Sequence, residues 1–358
     1  MRRRIQLFCV SMRSGGTERV VARFANYLGG INDVAITLLA RSPMFYRVQS
    51  NIVVHQPDFG NRQELGWRWY PRLVGHIHRC ISSFKPDVIL CFGEDIAPIV
   101  LTVARVTGRT CIVFNRASPL HSISGLRKIV YPAFNLLARS VVIQTKQGQA
   151  MLRSRFPLSN CSVLPNPIEI PRKSRLPSER KRQIVNVGTL GGRKGQADLI
   201  KSFAETRLNE KWKVVFVGDG PDRQKLEELA HARGVSEAVE FVGQSENVEE
   251  ILGVSRIFAF CSQREGFPNA LGEALAAGCA CVSYDCLTGP ADLIENEVNG
   301  LLVPNGDRPA FRAALYRLAV DDSLQERVAL SARRRIREFS SERVFAQLDS
   351  LIEEALAA

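Results

Sequence analysis

The sequence predicts an α/β fold built from two Rossmann-like domains, each a parallel sheet with helices on both faces, meeting across a cleft. Three observations point to it. Short apolar runs alternate with amphipathic stretches through both halves of the chain, the pattern of repeated strand–helix units. The stretch LPNPIEIPRKSRLPSERKRQ, Leu164 to Gln183, interrupts that alternation with four prolines, many charges and no periodicity, as a domain linker does. The length of 358 residues suits two domains of ordinary size. The boundaries therefore read as an N-terminal domain over 1–165, a linker over 166–182, a C-terminal domain over 183–340 and a final helix over 341–358.

In the first half, strands are predicted at residues 5–10, 33–39, 51–54, 88–92, 110–114, 141–143 and 162–164. Val20, Phe24 and Leu28 share one face of a helix over 17–28. Further helices are expected over 65–83, 97–105, 127–138 and 146–155. The second half places strands at 184–187, 213–217, 239–241, 257–261 and 280–284, with helices at 195–206, 221–233, 246–254, 269–277 and 290–295. Helices over 309–319, 323–338 and 341–357 close the chain. Ligands of such sheets sit at the carboxyl ends of the strands.

Composition narrows the class. Apolar content of 45% and charged content of 23% describe a soluble globular protein, and no run approaches the ~20 apolar residues of a spanning helix. MRRRIQLFCVSMRSGG imitates a signal peptide, but its apolar run holds Gln6 and no small-residue cleavage site follows, so a retained first strand is expected. Nine cysteines form no C-x-x-C, and Cys279-Ala-Cys281 lacks zinc-knuckle spacing. Cys9, Cys91, Cys111 and Cys261 lie in strand-like runs, which predicts reduced, buried thiols in a cytoplasmic protein. Charge is unevenly divided: residues 1–182 carry a net +19 and residues 183–358 a net −7. The basic half implies a polyanionic partner, the alternative being a solvated basic surface.

Three motifs carry the chemistry. In CSQREGFPNALGEALAAGCACVSYD, Glu265 follows a strand and Glu273 lies eight positions on, in the first turns of a helix started by Pro268-Asn269. A helix start offers unpaired N–H groups and partial positive charge, a phosphate site. Two acids facing a phosphate would repel it, so they are suited to sugar hydroxyls; the alternative is that they only complement the helix dipole. In NVGTLGGRKGQADL, a strand ends at Gly188 and a glycine loop presents Arg193-Lys194, two cations suited to a departing diphosphate. In SMRSGGTERVV, Gly15-Gly16 joins the first strand to the first helix. Neither a P-loop nor G-x-G-x-x-G is present, VVFVGDGPD included, which argues against a nicotinamide domain.

In order and spacing these pieces resemble the retaining, nucleotide-sugar-dependent glycosyltransferases of family 4, which have the GT-B fold. The likeness covers nearly the whole chain. It rests on Gly15-Gly16-Thr17-Glu18-Arg19, Gly188 through Gly195, Val217-Gly218-Asp219-Gly220, and Glu265-Gly266-Phe267-Pro268-Asn269 through Glu273-Ala274. The resemblance implies that Glu265 contacts the donor sugar's hydroxyls and Glu273 the ribose. Backbone groups of Asn269, Ala270 and Leu271 would hold the diphosphate, with Phe267 and Pro268 in the same donor segment. Lys194 would pair with the diphosphate, Gly15 and Gly16 would approach it from the other domain, Gly188 would open the glycine loop, and the base would sit near Gly243 to Val248. The final helix would recross to the N-terminal domain.

Three departures stand out. Thr189 occupies a position usually held by Arg, with Arg193 beside Lys194 as the substitute charge; Pro268 replaces a common Gly and removes an N–H; and Arg116 stands where a His is often seen. Arg116 would bind an acceptor phosphate bidentately, with Arg13 also on the acceptor side; the alternative for Arg116 is a surface arginine.

The implied reaction retains anomeric configuration by front-face displacement, with Glu265, Lys194 and Arg193 as the catalytic set, no metal, and no cofactor beyond the nucleotide sugar, expected to be a UDP-sugar. A hydrolase pair would need both acids flanking one bond, and one is assigned to ribose. The expected acceptor is a glycolipid, a polyprenyl-diphosphate-linked glycan, met at the inner face of the cytoplasmic membrane in surface polysaccharide or glycan assembly. Arg2-Arg3-Arg4, Arg127-Lys128 and LGWRWYPRLVGHIHR, Leu65 to Arg79, suit an anionic headgroup zone. The alternative for that last segment is an ordinary amphipathic helix with its aromatics packed inward. Aromatics beside arginines also stack on single-stranded nucleic acid, but the acidic half carries a sugar-nucleotide constellation, so no nucleic-acid partner is expected. Thr189 and Pro268 leave a second reading, a non-catalytic transferase-like subunit of a glycan assembly complex; a nucleotide-sugar epimerase of the same fold is disfavoured by E-x7-E.

Overall fold

The computed structural model describes residues 2–116, 134–155, 160–172, 175 and 177–357. The chain divides into two compact units, Met1–Asn166 with Val344–Ala358, and Pro167–Arg343.

The first unit is built on seven strands: β1 (Arg4–Cys9), β2 (Asp33–Leu38), β3 (Val53–His55), β4 (Val88–Phe92), β5 (Thr110–Asn115), β6 (Ser140–Ile143) and β7 (Cys161–Val163). They pair in parallel in the order β3-β2-β1-β4-β5-β6-β7. Strands buried on both faces read as continuous apolar runs, and VILCF of β4 is buried at every position. Helix Gly16–Gly29 packs Val20, Val21, Phe24 and Leu28 onto the sheet. Beneath it Phe92 and Phe114 stack at 4.5 Å, with Phe24 set obliquely across both.

The segment expected as one helix over 65–83 is broken. A single turn, Arg62–Leu65, ends at Gly66, whose φ of +55° cannot continue a right-handed helix, and the regular helix begins at Trp69 and ends at Phe84. Residues 127–133 of the helix expected over 127–138, and with them Arg127-Lys128, lie outside the described residues; Asn135–Leu137 forms one 3₁₀ turn.

The final helix, Ser341–Ala357, contributes Val344, Leu348, Ile352 and Ala355 to the core of the first unit. Phe345 stacks on Tyr27 at 4.2 Å, Tyr27 Oη donates to Asp349 Oδ2 at 2.5 Å, and Arg3 forks onto Glu353.

The second unit has six parallel strands, β8 (Lys181–Val187), β9 (Lys213–Val217), β10 (Val239–Gly243), β11 (Ser255–Phe260), β12 (Ala280–Asp285) and β13 (Leu301–Pro304), in the order β10-β9-β8-β11-β12-β13. Two sequence expectations are corrected here. Strand β13 was absent from the reading; it is four residues long and its alternation is too short to register. The linker over 166–182 is also too long, because β8 already starts at Lys181 and pairs there with Ser255. Arg180 explains how so charged a run enters a sheet: its buried guanidinium donates to the carbonyls of Ala277 at 2.5 Å, Ser255 at 3.1 Å and Arg175 at 3.2 Å. A cation at the C-terminus of helix Asn269–Ala277 satisfies orphan carbonyls.

Leu348 is fully buried, so Leu348→Ala should destabilise the first unit by about 2–5 kcal/mol. Gln347→Ala, on the exposed face of the same helix, should stay within about 0.5 kcal/mol. Urea unfolding followed by circular dichroism reads both; equal midpoints would contradict the packing described.

Candidate functional site

In the second unit the chain runs outward from β8 through β9 to β10, then returns to β11 on the other side of β8. The reversal between β8 and β11 is the kind of point at which open α/β sheets bind ligands, at the carboxyl ends of the strands. The loops leaving those two strands carry the sequence motifs.

They are held together tightly. The Lys194 ammonium lies 2.6 Å from Glu265 Oε1, and the Gln263 N–H donates to the Arg193 carbonyl at 2.8 Å. Gly195, with φ of +70°, is what allows this approach: a Cβ there would stand 2.1 Å from the Cys261 carbonyl oxygen. The Glu265 side chain is 13% exposed and that of Lys194 37%. The carboxylate is thus seated in the loops and the ammonium is the more open partner. An ammonium has three donors, so one bond to Glu265 leaves two for another anion. The two side chains assigned to different parts of a donor are therefore partners of each other in this structure. Arg193 is exposed and, among the described residues, makes no ion pair.

A third loop braces the second. Thr288 Oγ1 donates to the Glu265 carbonyl at 2.5 Å. The Pro268 ring lies against Gly289, where a Cβ would come 2.3 Å from Cδ and φ is +102°. Pro268 thus fills a contact with the loop after β12, which accounts for a ring at a position otherwise costly to a phosphate site. The helix that follows, Asn269–Ala277, has no side-chain cap. The expected trio of backbone donors is reduced: the Asn269 N–H is spent on the Phe267 carbonyl at 3.0 Å. Those of Ala270 and Leu271 take no carbonyl among the described residues, as the first turn of a helix requires. Phe267 is corrected too: its side chain is 5% exposed and packs in the core near Phe339.

Glu273 lies half-buried on the same helix. Gly188 follows β8 and its N–H donates to Val217 O at 2.9 Å; Gly243 ends β10 and its carbonyl accepts from the Gly218 N–H at 2.7 Å. Val248 opens helix Val248–Val254 with its side chain turned partly into the core. Asp285, at the end of β12, was missed by the sequence reading, which stopped that strand at Tyr284. Burial raises its carboxyl above the usual range, and Oδ1 has no partner among the described residues. Beside it, burial and then the Glu265 charge push the Cys286 thiol up to about 12. All nine cysteines are buried free thiols.

The first unit repeats the layout, with its reversal between β1 and β4. Arg13 is exposed in the loop after β1. Gly15 is held by Tyr46, whose hydroxyl donates to the Gly15 carbonyl at 2.9 Å, and Gly16 opens helix Gly16–Gly29. Across the reversal, Glu94 follows β4; burial, with the neighbouring Asp95 charge, pushes its carboxyl up to about 7. The acidic pair after a strand end in FGEDIAP was the available signal. Arg116, at the end of β5, is not a surface arginine: it is 8% exposed.

On this unit, Trp67 is 75% and Tyr70 39% exposed, with Val74 exposed on the same helical face as Tyr70. Arg68 lies over Trp67 at 5.9 Å and Arg62 over Tyr70 at 5.3 Å. Only Trp69 turns toward the core, so the inward-packed alternative holds for one of the three aromatics.

Because Glu94 is raised, it favours the folded state when protonated. Its stabilising contribution is full below the ordinary glutamate range and is lost as pH rises through about 7. Glu94→Gln should therefore gain stability relative to the wild type between pH 5 and 8, each unit of separation being worth about 1.4 kcal/mol. Thermal melts across that range check it; a constant difference would refute the buried acid.

Comparisons with known proteins bear on this geometry. Residues 168–335 match the family described as "Glycosyl transferases group 1". An uncharacterised glycosyltransferase of Methanocaldococcus jannaschii is 31% identical over 62% of this chain and 61% of its own length. A Campylobacter jejuni protein named as an α-1,4-N-acetyl-D-galactosaminyltransferase acting on a diphospho-undecaprenol-linked glycan is 25% identical over 94% of each chain. Among solved structures, Anabaena HepE, crystallised with UDP and glucose, superposes with a TM-score of 0.81 at 17% identity, over 98% of this chain and 99% of that one; the lipopolysaccharide galactosyltransferase WaaB does so with a TM-score of 0.80 at 20% identity, over 98% and 99%. With the two parallel sheets and the E-x7-E helix start already in place, the chain has the GT-B fold, and its residues 168–335 are those of a group 1 glycosyltransferase.

Proposed function

We propose that this glycosyltransferase moves a sugar from a UDP-sugar to a lipid-linked glycan acceptor, with retention of anomeric configuration and without a metal. The observation that carries the reading is the Lys194–Glu265 pair at the strand reversal, with the Ala270 and Leu271 N–H groups taking no carbonyl among the described residues. The helix start and Lys194 together suit a diphosphate. Glu265, seated and oriented by Lys194 and by the loop carrying Thr288, suits a sugar hydroxyl, and Glu273 the ribose.

In this reading the bond from the anomeric carbon to the diphosphate breaks while the acceptor oxygen bonds to the same face. The acceptor's proton passes to the departing phosphate oxygen, and Lys194 and the exposed Arg193 stabilise the charge that grows there. That relatives bear names for N-acetylgalactosamine and galactose transfer supports a hexose or N-acetylhexosamine donor. The name of one such relative includes a diphospho-undecaprenol acceptor, which supports an acceptor of that class.

A membrane location is supported by the face formed by Trp67, Tyr70 and Val74 with Arg62, Arg68, Arg72 and Arg79 exposed around it. Aromatics at the headgroup level flanked by cations suit an anionic leaflet, and the exposed Arg13 suits an acceptor-side role. No helix among the described residues is long and apolar enough to cross a membrane, so attachment would be peripheral, at the inner face.

Purified protein offered a panel of nucleotide sugars should turn over a UDP-sugar. Lys194→Met should lower kcat about 10²–10³-fold, and Glu265→Gln should also depress it; unchanged turnover in both would favour a non-catalytic subunit. In liposome flotation the protein should bind vesicles containing anionic lipid, lose them at high salt, and lose them on Trp67→Ala/Arg68→Ala. Binding indifferent to salt and lipid charge would refute the docking face.

A further inference from the structure

Arg116 is a buried cation to which no carboxylate is paired. Its guanidinium carbon lies 5.1 Å from the ring of Phe114, 5.5 Å from Phe92 and 5.6 Å from Phe24. Nη1–H donates to Asn166 Oδ1 at 2.8 Å, an oxygen that also accepts from Gln144 Nε2 at 3.0 Å. Nε and Nη2 have no partner among the described residues. None of the residues outside the described set is Asp or Glu, and no ion pair to it is formed among the described residues. Burial lowers the group only to about 9, which leaves it charged at neutral pH.

The contrast with Arg180 is informative. That arginine is equally buried but spends its N–H groups on backbone carbonyls, as a structural arginine does. In Arg116 the satisfied nitrogen is Nη1, and the two left over share one edge of the guanidinium. Their N–H bonds run side by side, the fork that grips two adjacent oxygens of a carboxylate or phosphate. The residue directly follows β5, at the carboxyl edge of the first unit's sheet, the edge at which such sheets bind ligands.

We propose that the Nε–Nη2 edge of Arg116 is the receptor for an oxyanion of one of the substrates, a phosphoryl or carboxylate group presenting two adjacent oxygens. The three phenylalanine rings hold the plane of the guanidinium and shield it from water, and Asn166 sets its rotation. The word substrate rests on the transferase reading; the anion site itself does not.

Isothermal titration of the full chain with inorganic pyrophosphate and, separately, with D-glucuronate tests it by occupancy rather than turnover. At least one probe should bind the wild type. Arg116→Met should weaken that binding at least tenfold and Arg116→Lys should weaken it through loss of the fork, both read in a Lys194→Ala background so that the diphosphate site proposed for the second unit does not contribute. Pyrophosphate as the probe that binds would assign the site to a phosphorylated substrate, glucuronate to an acidic sugar. No binding of either probe, or equal binding by Arg116→Met, overturns the proposal. Melting without ligand is the second readout: replacing a buried uncompensated charge by an apolar side chain is neutral or stabilising. A marked fall in Tm for Arg116→Met would show a structural arginine and overturn the proposal as well.

Discussion

The close approach of the loops leaving β8 and β11 is the constraint on which the second unit's site depends. It requires a glycine at 195, because any side chain there would strike the Cys261 carbonyl. It is closed by Lys194 on Glu265. Once the loops are pinned, the Glu265–Pro268 segment can be braced from the third side by Thr288 and Gly289, and the first turn of helix Asn269–Ala277 is aimed with two backbone donors unspent. A half-buried ion pair contributes little to stability in itself once desolvation is counted. Its value here is positional, since it sets which carboxylate oxygen and which ammonium hydrogens remain for a ligand.

The two buried arginines show how one side chain serves different ends. Arg180 turns a charged, proline-flanked run into the start of a central strand by filling carbonyls at a helix end. Arg116 sits among aromatic rings with Nε and Nη2 unpartnered among the described residues. A guanidinium tolerates burial better than an ammonium because its charge is spread over a plane and its faces stack on rings. The idle edge then becomes a demand for an anion, which no ion pair among the described residues meets.

The uneven charge of the chain has a matching surface. The break at Gly66 matters to it: a 3₁₀ turn, Gly66–Arg68, separates the turn Arg62–Leu65 from the helix Trp69–Phe84, with Trp67 exposed and Trp69 packed against the core. A continuous helix over 65–83 would have placed these rings by periodicity alone. The positive φ of one glycine lies directly before an aromatic that stays exposed and three residues before one that packs against the core.

Much of this was legible in the sequence. Parallel strands and covering helices follow from apolar runs and 3.6-residue periodicity, which is why Val88–Phe92, Lys213–Val217 and Asn269–Ala277 fall where the pattern places them. The motifs of the candidate site were visible because strand ends, glycine loops and helix starts are local events. What the sequence by itself determined was therefore the repeating units, the fold class, and the residues gathered at the carboxyl ends of the strands. Partnership was decided by tertiary structure alone: that Lys194 meets Glu265 across 71 positions, that Phe267 turns inward, that Pro268 rests on Gly289, that Arg116 is buried and Glu94 half-buried. Hydrogen bonds and desolvation act over a few ångströms in space, and separation along the chain carries no record of that distance.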